Sequence, residues 1–430
     1  MSEWKRYKLG NLLRVKHGWA FKGEFFSETG IQSILTPGNF YESGGFKSNA
    51  SKDRFYIGEY PKEYLCSKGD LIVAMTEQAA GLLGSTAIVP EDNRYLHNQR
   101  IGLISCNEYL NKDFAYYLFM TQTVRQQISR SASGTKVKHT SPEKIYEVQV
   151  YIPTIQTQRN IAKILTTLDS KIQTNNQINQ ELEAIAKTLY DYWFVQFDFP
   201  DQNGKPYKSS GGKMVYNPEL KREIPEGWGV EKLGELIQLE RGVTYSKSDI
   251  VDKTTKDAIG VLRATNIAGN VMDLNDLVYL TKDKINNKQI IKQYETLIVM
   301  SSGSMEHLGK NAINHYEEVI GFGAFCSKIV PKKYSNYINT FLQSSEFKGY
   351  LLKQSMGTNI NNLTNSDILD CRIILPNNDI LDKFENMGEK NIRLISNNYI
   401  QNQELIQLRD WLLPMLMNGQ VYKRIEGKND

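Results

Sequence analysis

The chain contains one sequence pattern twice, and this duplication constrains its fold more than any other feature. An opening motif of a tryptophan, a Lys-Leu-Gly triplet and a further glycine recurs 224 positions later, as Trp4, Lys8-Leu9-Gly10 and Gly18, then Trp228, Lys232-Leu233-Gly234 and Gly242. Further matches at an offset of 223 are Gly134-Thr135 with Gly357-Thr358, Ile145 with Ile368, and Pro153 with Pro376. The period far exceeds the roughly 20 to 50 residues of solenoid and propeller repeats. We therefore expect two copies of one unit on a pseudo-two-fold axis, which suits a ligand as symmetric as duplex DNA.

Length and composition are typical of a globular, non-secreted protein. The chain has 430 residues, of which 40% are hydrophobic, enough for about two or three domains with their own cores. The longest apolar runs, such as residues 71–75, are too short to span a bilayer, and residues 1–10 lack the apolar stretch of a secretion signal. The four cysteines lie far apart without a C-x-x-C pair. We therefore expect no zinc site, no disulfide framework and a cytoplasmic location.

The local distribution of charge is more informative than the net charge of +4. Residues 121–142 contain no acid, and their basic side chains are Arg125, Arg130, Lys136, Lys138 and His139. The matching stretch, residues 347–366, is also free of acids and carries Lys348 and Lys353. A solvated surface would explain either stretch alone. Their occurrence in both copies favours loops that face phosphates.

Each copy begins with a mixed region of about 150 residues, a normal size for one domain. Short β-rich runs predict strands at residues 70–75, 148–153, 296–301 and 371–376, and helices are predicted at residues 114–130 and 337–354. The predicted fold class is α+β, with two related α/β domains. Their boundaries are predicted at residues 1–153 and 227–376.

After Pro153 the hydrophobic period changes to 3.5, which predicts long helices. The predicted a and d positions are Ile161, Ile164, Leu168, Lys171, Asn175, Ile178, Leu182, Ile185, Leu189 and Tyr192, then Phe384, Met387, Asn391, Leu394, Asn398, Gln401, Leu405, Leu408, Leu412 and Met415. Because such stripes need a partner, we expect two long antiparallel coiled-coil helices that separate the domains. Asn175 and Asn398 match polar residues that fix register. The alternative is that each stripe packs on its own domain.

The helices belong to two further predicted segments. Residues 154–226 would hold the central helix and a linker, and residues 377–430 the distal helix. Within the first segment, residues 201–227 are rich in Gly, Lys, Ser and Pro, a composition typical of linkers.

Motifs for catalysis are weak throughout the chain. Residues 217–220 lack the second proline and the aromatic residue of an amino-methyltransferase motif. Residues 303–311 have the wrong glycine spacing, and an asparagine in place of Ser or Thr, for a phosphate-binding P-loop. Asp201, Glu219 and Lys221 have the residue types of a magnesium-dependent nuclease, but they lie in the predicted linker. We therefore expect no catalytic residue, no metal and no cofactor.

Several segments together resemble the specificity subunit of type I restriction-modification enzymes. They are LYDYWFVQFDFP at residues 189–200, Lys213-Met214, IPEGW at residues 224–228 and LRDWLLPMLMNG at residues 408–419. The resemblance covers the whole chain. It implies two target-recognition domains that each read half of a bipartite DNA sequence, separated by helices that set the spacing and dock two methylation subunits. It also implies that restriction subunits join the assembly, and that the methyl donor and the ATP machinery belong to those partners.

Residues that contact bases need donors and acceptors on loops held by a rigid core. Polar residues directly after matched strands are the first candidates: Thr76, Glu77 and Gln78 in the first copy, and Ser301, Ser302 and Ser304 in the second. A further group, Asn98, Gln99 and Arg100, is predicted to lie opposite Ser327 and Lys328. An ordinary solvated loop explains any single one of them equally well.

Arg263 and the two repeated glycine turns complete the predicted DNA-binding set. The turns would position phosphates through backbone N–H groups and nearby side chains, namely Thr135, Lys136, Lys138 and His139, then Thr358, Asn359 and Asn361. The alternative is a structural turn that requires glycine. Arg263 could contact a guanine with two hydrogen bonds, or it could pair with a buried acid.

Aromatic and leucine side chains cluster where each long helix is predicted to end. They are Trp193, Phe194 and Phe197, then Trp411, Leu412 and Leu413. Tryptophan and phenylalanine are enriched in interface centres, so we predict docking sites for the methylation subunits. The alternative is that they cap the helix pair internally.

The resulting functional hypothesis is a non-enzymatic scaffold that binds double-stranded DNA together with methylation and restriction subunits, away from any membrane. A freestanding duplicated DNA-binding protein and a magnesium-dependent nuclease are the alternatives.

Overall fold

The structure is a computed structural model that describes residues 4–48, 53–134, 137–355 and 362–420. It divides the chain into two compact units. Unit 1 comprises Met1–Ile172 and Glu404–Asp430, and unit 2 comprises Gln173–Gln403. Both long helices contribute to both units, and each unit is described separately below. No helix in the described part of the chain combines the length and the apolar character needed to cross a membrane.

The described strands of unit 1 form two four-stranded sheets and a separate pair. They are β1 (Lys5–Lys8), β2 (Leu13–His17), β3 (Phe26–Ser27), β4 (Ser33–Ile34), β5 (Phe55–Tyr56), β6 (Leu71–Ala74), β7 (Thr86–Ile88), β8 (Tyr95–Leu96), β9 (Ile101–Cys106) and β10 (Gln149–Ile152). The first sheet is antiparallel in the order β2-β9-β6-β7, the second has the order β3-β5-β4-β8, and β1 pairs with β10. Every residue of β6 is buried, as its apolar run predicts.

The described part of unit 1 contains three short helices and the first part of a long helix. They are α1 (Lys112–Met120), α2 (Gln122–Ser131), α3 (Pro142–Tyr146) and the first part of α4 (Ile155–Tyr190). The single helix predicted at residues 114–130 is broken at Thr121, whose backbone is extended. Its hydroxyl donates to Leu118 O at 2.7 Å and accepts from Val124 N at 3.5 Å. The threonine therefore ends one helix and caps the next.

Unit 2 repeats the order of the first sheet and of the separate strand pair of unit 1. Its strands are β11 (Met214–Asn217), β12 (Arg222–Pro225), β13 (Gly229–Lys232), β14 (Ile237–Arg241), β15 (Ala258–Leu262), β16 (Ile267–Ala268), β17 (Val271–Met272), β18 (Val278–Thr281), β19 (Ile290–Ile291), β20 (Thr296–Val299), β21 (Asn311–Ile313), β22 (Ile320–Phe322), β23 (Cys326–Pro331) and β24 (Arg372–Leu375). The sheet β14-β23-β20-β21 matches β2-β9-β6-β7, and the pair β13-β24 matches β1-β10. The structure thus confirms the duplication and the α+β fold class.

The helices of unit 2 are α5 (Leu233–Leu236), α6 (Ser335–Gln343), α7 (Ser345–Ser355), α8 (Asn365–Leu369) and α9 (Asn378–Met417). The helix predicted at residues 337–354 is broken at Ser344, and the Ser344 hydroxyl accepts from Phe347 N at 3.2 Å. Both copies therefore divide the predicted helix at a hydroxyl-bearing residue.

The repeated glycines lie where two backbones approach closely. A Cβ on Gly18 would collide with the carbonyl oxygen of Asn98, and a Cβ on Gly242 would collide with that of Gly323. Each glycine directly follows the first strand of its sheet. A side chain at either position would push the neighbouring segment away.

The long helices pair antiparallel within each unit, as predicted. In unit 2, Asn175 Nδ2 donates to Asn402 Oδ1 at 2.9 Å, and Asn398 Nδ2 donates to Asn179 Oδ1 at 2.8 Å. In unit 1, Arg409 Nη1 lies 3.0 Å from Asp169 Oδ1. Asn175 and Asn398 are both buried, which confirms their predicted place between the helices.

Five apolar residues among the twenty predicted heptad positions are exposed rather than buried. Ile164, Ile185, Met387, Leu394 and Leu408 were assigned to the seam but are between 43% and 56% exposed. Six buried residues lie one position after a predicted one, namely Leu165, Asn179, Trp193, Ile395, Asn402 and Leu416. At two of these positions, Asn179 and Asn402, paired asparagines occupy the seam, where their hydrogen bonds offset the cost of burial. An apolar pattern cannot reveal those two positions.

The predicted linker is an ordered part of unit 2. Its strands β11 and β12 form a hairpin, and Tyr207 stacks on Phe199 with ring centroids 4.7 Å apart. Ile224 lies in the unit 2 core. The glycines that gave the segment its linker-like composition, Gly204, Gly211 and Gly227, have φ between 75° and 88° and form tight turns.

Acid should destabilise unit 2 through His315. This ring is 6% exposed, stacks on Tyr399 with centroids 4.8 Å apart, and burial lowers its pKa to about 4. Because the unfolded ring has a pKa of about 6.5, stability falls as the pH drops from about 6.5 to about 4, by about 3 kcal/mol in total. Urea unfolding followed by circular dichroism at several pH values should show the decline. His315→Phe, which keeps a stacking ring, should reduce the slope, and equal slopes in both proteins would contradict this prediction.

Candidate nucleic-acid interface

One end of the first sheet of unit 1 brings three distant segments together. Met75, directly after β6, donates its N–H to Arg100 O at 2.9 Å and accepts from Thr140 N at 2.9 Å. Thr76 forms an isolated antiparallel β-bridge with His139, and the Thr76 Oγ1 and His139 Nδ1 atoms are 3.1 Å apart. The turn before β9 and the segment before α3 therefore both lie beside the end of β6. Three of the predicted DNA-binding groups thus share one surface, called here the unit 1 edge.

The predicted residues at the unit 1 edge have two different roles. Thr76 is only 5% exposed, and Asn98 Oδ1 accepts from Arg100 N at 2.9 Å, so both shape the backbone. The exposed side chains are Gln78, Gln99, Arg100, Lys138 and His139. Lys138 lies 4.0 Å from Glu77, a weak surface pair. Within the described residues, Arg100 forms no ion pair, so its charge remains available to a ligand.

The loop after β6 is held by Arg125. The Arg125 Nη2 atom donates to Glu42 O at 2.7 Å and also to Gly81 O. Burial lowers the pKa of this guanidinium to about 10, and the charge of Glu77 opposes that shift. Arg125 was predicted to belong to a phosphate-facing run. The structure corrects this prediction, because the guanidinium is occupied by main-chain carbonyls inside the unit.

Unit 2 has the same arrangement at the corresponding end of its sheet. Met300 N donates to Phe325 O at 2.8 Å, and Leu363 N donates to Met300 O at 2.7 Å. Ser301 forms an isolated antiparallel β-bridge with Asn362, and the Ser301 hydroxyl donates a hydrogen bond to Asn362 Oδ1. These segments enclose a cleft of about 310 Å³, called here the unit 2 cleft, lined by Arg241, Met300, Ser301, Phe325, Ser327, Asn362, Leu363, Thr364 and Asn365.

The structure changes which residues of the two copies correspond. Arg100 had been placed opposite Ser327 and Lys328, but its counterpart is Phe325, which makes the same main-chain contact. Lys328 lies within β23 with its side chain 6% exposed, 3.1 Å from Glu295 and 2.9 Å from Ile290 O. A lysine enclosed in this way cannot reach DNA, so Lys328 was wrongly included.

Sequence reasoning missed Arg241 and Phe325. Arg241 ends β14 and is exposed, and Phe325 is 65% exposed. Arg241 immediately precedes the repeated Gly242, so the duplication did mark its position. Phe325 carried no such signal, because an isolated phenylalanine in an apolar run reads as core.

The remaining predicted DNA-binding residues divide into three groups. Ser302 and Ser304 come after Ser301, which lines the unit 2 cleft, and Ser302 Oγ accepts a hydrogen bond from Ser304 N at 3.3 Å. Arg263 donates to the carboxylate of Asp276 at 2.7 Å, so it pairs with an acid, although that carboxylate is 88% exposed rather than buried. Thr135, Lys136, Thr358, Asn359 and Asn361 lie outside the described residues.

The first repeated turn requires glycine for its own geometry. Gly134 has a φ of 106°, and a Cβ there would collide with Val137 O. This observation supports a structural role for the glycine.

Half of the predicted partner interface is internal. Trp193, Phe194 and Phe197 are 5%, 1% and 3% exposed and lie in the unit 2 core. Phe194 packs on Tyr337 with centroids 4.7 Å apart. The prediction that these three residues form a docking site was wrong. Their burial agrees better with the alternative, in which they pack inside the protein where the helix ends. Trp411 is 60% exposed, whereas Leu412 and Leu413 pack partly against the unit 1 core.

Replacing Arg125 with alanine should loosen the loop after β6 without unfolding the chain. The substitution removes donors from two carbonyls, and hydrogen bonds to charged groups contribute about 1.5 to 3 kcal/mol each. Hydrogen exchange of residues 76–84 should therefore accelerate. Arg130→Ala, an exposed arginine on the same helix, is the matched control. Unchanged exchange in the Arg125 variant would show that the loop is held by other contacts.

Comparisons with known proteins place both repeats in one family. A family model described as the type I restriction modification DNA specificity domain matches residues 1–184 and 225–405. The specificity subunit of the type I restriction enzyme MjaIX from Methanocaldococcus jannaschii is 26% identical over 314 residues, which cover 72% of this chain and 69% of that protein. The HindI specificity subunit of Haemophilus influenzae is 24% identical over 489 residues, covering 98% of this chain and 100% of that protein.

A solved structure agrees at the level of the fold. The crystal structure of the type I restriction-modification system S subunit from M. genitalium matches with a TM-score of 0.56 at 14% identity, covering 96% of each chain. The family model, which covers both copies of the duplicated unit, carries the assignment. The chain therefore belongs to the DNA specificity subunits of type I restriction-modification systems.

Proposed function

We propose that this chain is the non-catalytic subunit that selects the DNA target of a type I restriction-modification complex, with each unit reading one half of a bipartite sequence. The supporting observation is that both units build the same sheet end from the same main-chain contacts but carry different side chains there. The domain boundaries proposed for this role are residues 1–153 and 227–376, joined by residues 154–226 and followed by residues 377–430.

The exposed groups at the two sheet ends suit contact with a duplex. Arg100 in unit 1 and Arg241 in unit 2 form no ion pair within the described residues, so either guanidinium is available for a phosphate or a guanine. The hydrogen-bonded backbone beneath them keeps their positions fixed. Because His139 of unit 1 corresponds to Asn362 of unit 2, the two half-sites are proposed to differ in sequence.

The carboxylates that suggested a nuclease have local structural roles. Asp201 Oδ1 accepts from the N–H groups of Asn203 and Lys205, both at 2.8 Å. Glu219 lies 3.2 Å from Arg372. These contacts support a scaffold role. Methylation and DNA cleavage are proposed to reside in the partner methylation and restriction subunits, which would act with this chain on DNA in the cytoplasm.

The exposed face of α9 in unit 1 is the proposed docking site for a methylation subunit. Trp411 and Leu408 are 60% and 43% exposed there. Leu412 and Leu413 lie against the unit 1 core and would support this face from beneath. A large exposed indole is a frequent centre of protein interfaces.

Exchanging residues 1–153 for those of a relative with another target should change one half-site only. The reason is that the unit 1 edge lies entirely within that segment. Long-read sequencing of host DNA from cells that carry the complete system would report the methylated motif. The reciprocal exchange of residues 227–376 should change the other half. A single exchange that altered both halves, or neither, would contradict reading by separate domains.

Replacing Trp411 with alanine should weaken binding of the methylation subunit by roughly 30-fold or more, the size expected for an interface centre. Titration calorimetry or co-purification at limiting concentration would measure the loss. Tyr216→Ala is the matched control, because that ring is 61% exposed on the β11–β12 hairpin. Equal affinities for both variants would place the docking site elsewhere.

A further inference from the structure

Phe325 is an exposed apolar side chain that lines the unit 2 cleft beside several polar side chains. Its ring is 65% exposed and lines the unit 2 cleft together with Arg241, Ser301 and Asn362. Exposed apolar residues are common, so exposure alone does not identify a contact residue. The position of Phe325 is informative because it corresponds to Arg100 at the unit 1 edge.

The backbone around Phe325 is fixed by hydrogen bonds on both sides. The Phe325 carbonyl accepts from Met300 N at 2.8 Å and from Ser301 N at 3.2 Å. The turn that contains Phe325 is held by Ala324 N, which donates to Val243 O at 2.9 Å, and by Cys326 N, which donates to Gly323 O at 2.9 Å. A ring on so constrained a backbone loses little conformational freedom when it meets a ligand.

The chemistry of a phenyl ring limits what it can distinguish on DNA. It has no hydrogen-bond donor or acceptor, so it cannot read the polar base edges. The one apolar group in the major groove of unmodified DNA is the C5-methyl of thymine. Arg241 lies beside the same turn, with its Nε 3.4 Å from Ala324 O, and a guanidinium there can contact the neighbouring phosphate or guanine.

We propose that Phe325 is a specificity-determining residue that contacts the methyl group of a thymine in the half-site read by unit 2. This inference rests on the proposed function and adds one base to it. Because the corresponding residue of unit 1 is Arg100, that edge has a hydrogen-bond donor where unit 2 has a ring. Dependence on the methyl group at this position is therefore a property of the unit 2 half-site.

The test removes the methyl groups one at a time. The chain is purified with its co-expressed methylation subunits, and binding is measured to duplexes in which single thymines of the target are replaced by deoxyuridine. The domain exchange described above assigns each half-site to its unit. At one thymine of the unit 2 half-site, replacement by deoxyuridine should weaken binding about fourfold. This is the effect expected for the loss of one buried methylene-sized group.

Three variants separate this contact from general effects. Phe325→Ala should bind the natural target about tenfold more weakly, within the range of one good base contact, and should no longer distinguish thymine from deoxyuridine. Phe325→Leu, which keeps an apolar group, should retain part of the discrimination. Tyr216→Ala removes an exposed ring of unit 2 outside the cleft and should behave like the unaltered protein.

Several outcomes would overturn the proposal. They are a unit 2 half-site without any A·T pair, binding that is insensitive to every deoxyuridine, and equal discrimination by Phe325→Ala and the unaltered protein. Insensitivity together with increased 2-aminopurine fluorescence next to the half-site would show that the ring instead inserts between bases. In each of these cases the complex still binds a bipartite target, so the proposed function survives. Failure to bind any bipartite target would refute the proposed function instead.

Discussion

A main-chain hydrogen bond at the end of the central strand is the contact on which each candidate interface depends. It joins Met75 to Arg100 in unit 1 and Met300 to Phe325 in unit 2, and in both units a second bond ties the same methionine to the segment before the last short helix. Because backbone groups make these contacts, the side chains at the surface can change without loss of the framework. The repeated glycines Gly18 and Gly242 allow the strand that precedes each of them to approach the turn that carries Arg100 or Phe325.

The paired long helices rely on amides at positions where an apolar seam was expected. Asn175 and Asn179 meet Asn402 and Asn398 in unit 2, and Asn175 Oδ1 has no hydrogen-bond partner within the described residues. Such a seam is less stable than a leucine seam, but it penalises every shifted register that would leave amides unpaired. The displaced apolar side chains, Leu394 and Leu408 among them, are left exposed for other contacts.

Much of the candidate site could be predicted from sequence, because matched strands and glycine turns fixed where polar residues converge. The exposure of each side chain could not be predicted. Lys328 has the charge of a DNA-binding residue but is enclosed by Glu295, and Arg125 lies in a basic run but binds carbonyl oxygens. Trp193 is of a residue type that is common in interfaces, but its side chain is buried in the unit 2 core. In each case the deciding contact is with a residue distant in sequence.

The sequence by itself determined the duplication, the α+β class, the positions of the matched strands β6, β10, β20 and β24, and the presence of two long antiparallel helices. These follow from periodicity and turn residues, which act between near neighbours along the chain. The tertiary structure alone decided the helix register, the correspondence of Arg100 with Phe325 and the inclusion of residues 201–227 in unit 2. These depend on which hydrogen bonds and buried surfaces are satisfied when remote segments meet, and a linear pattern does not encode that choice.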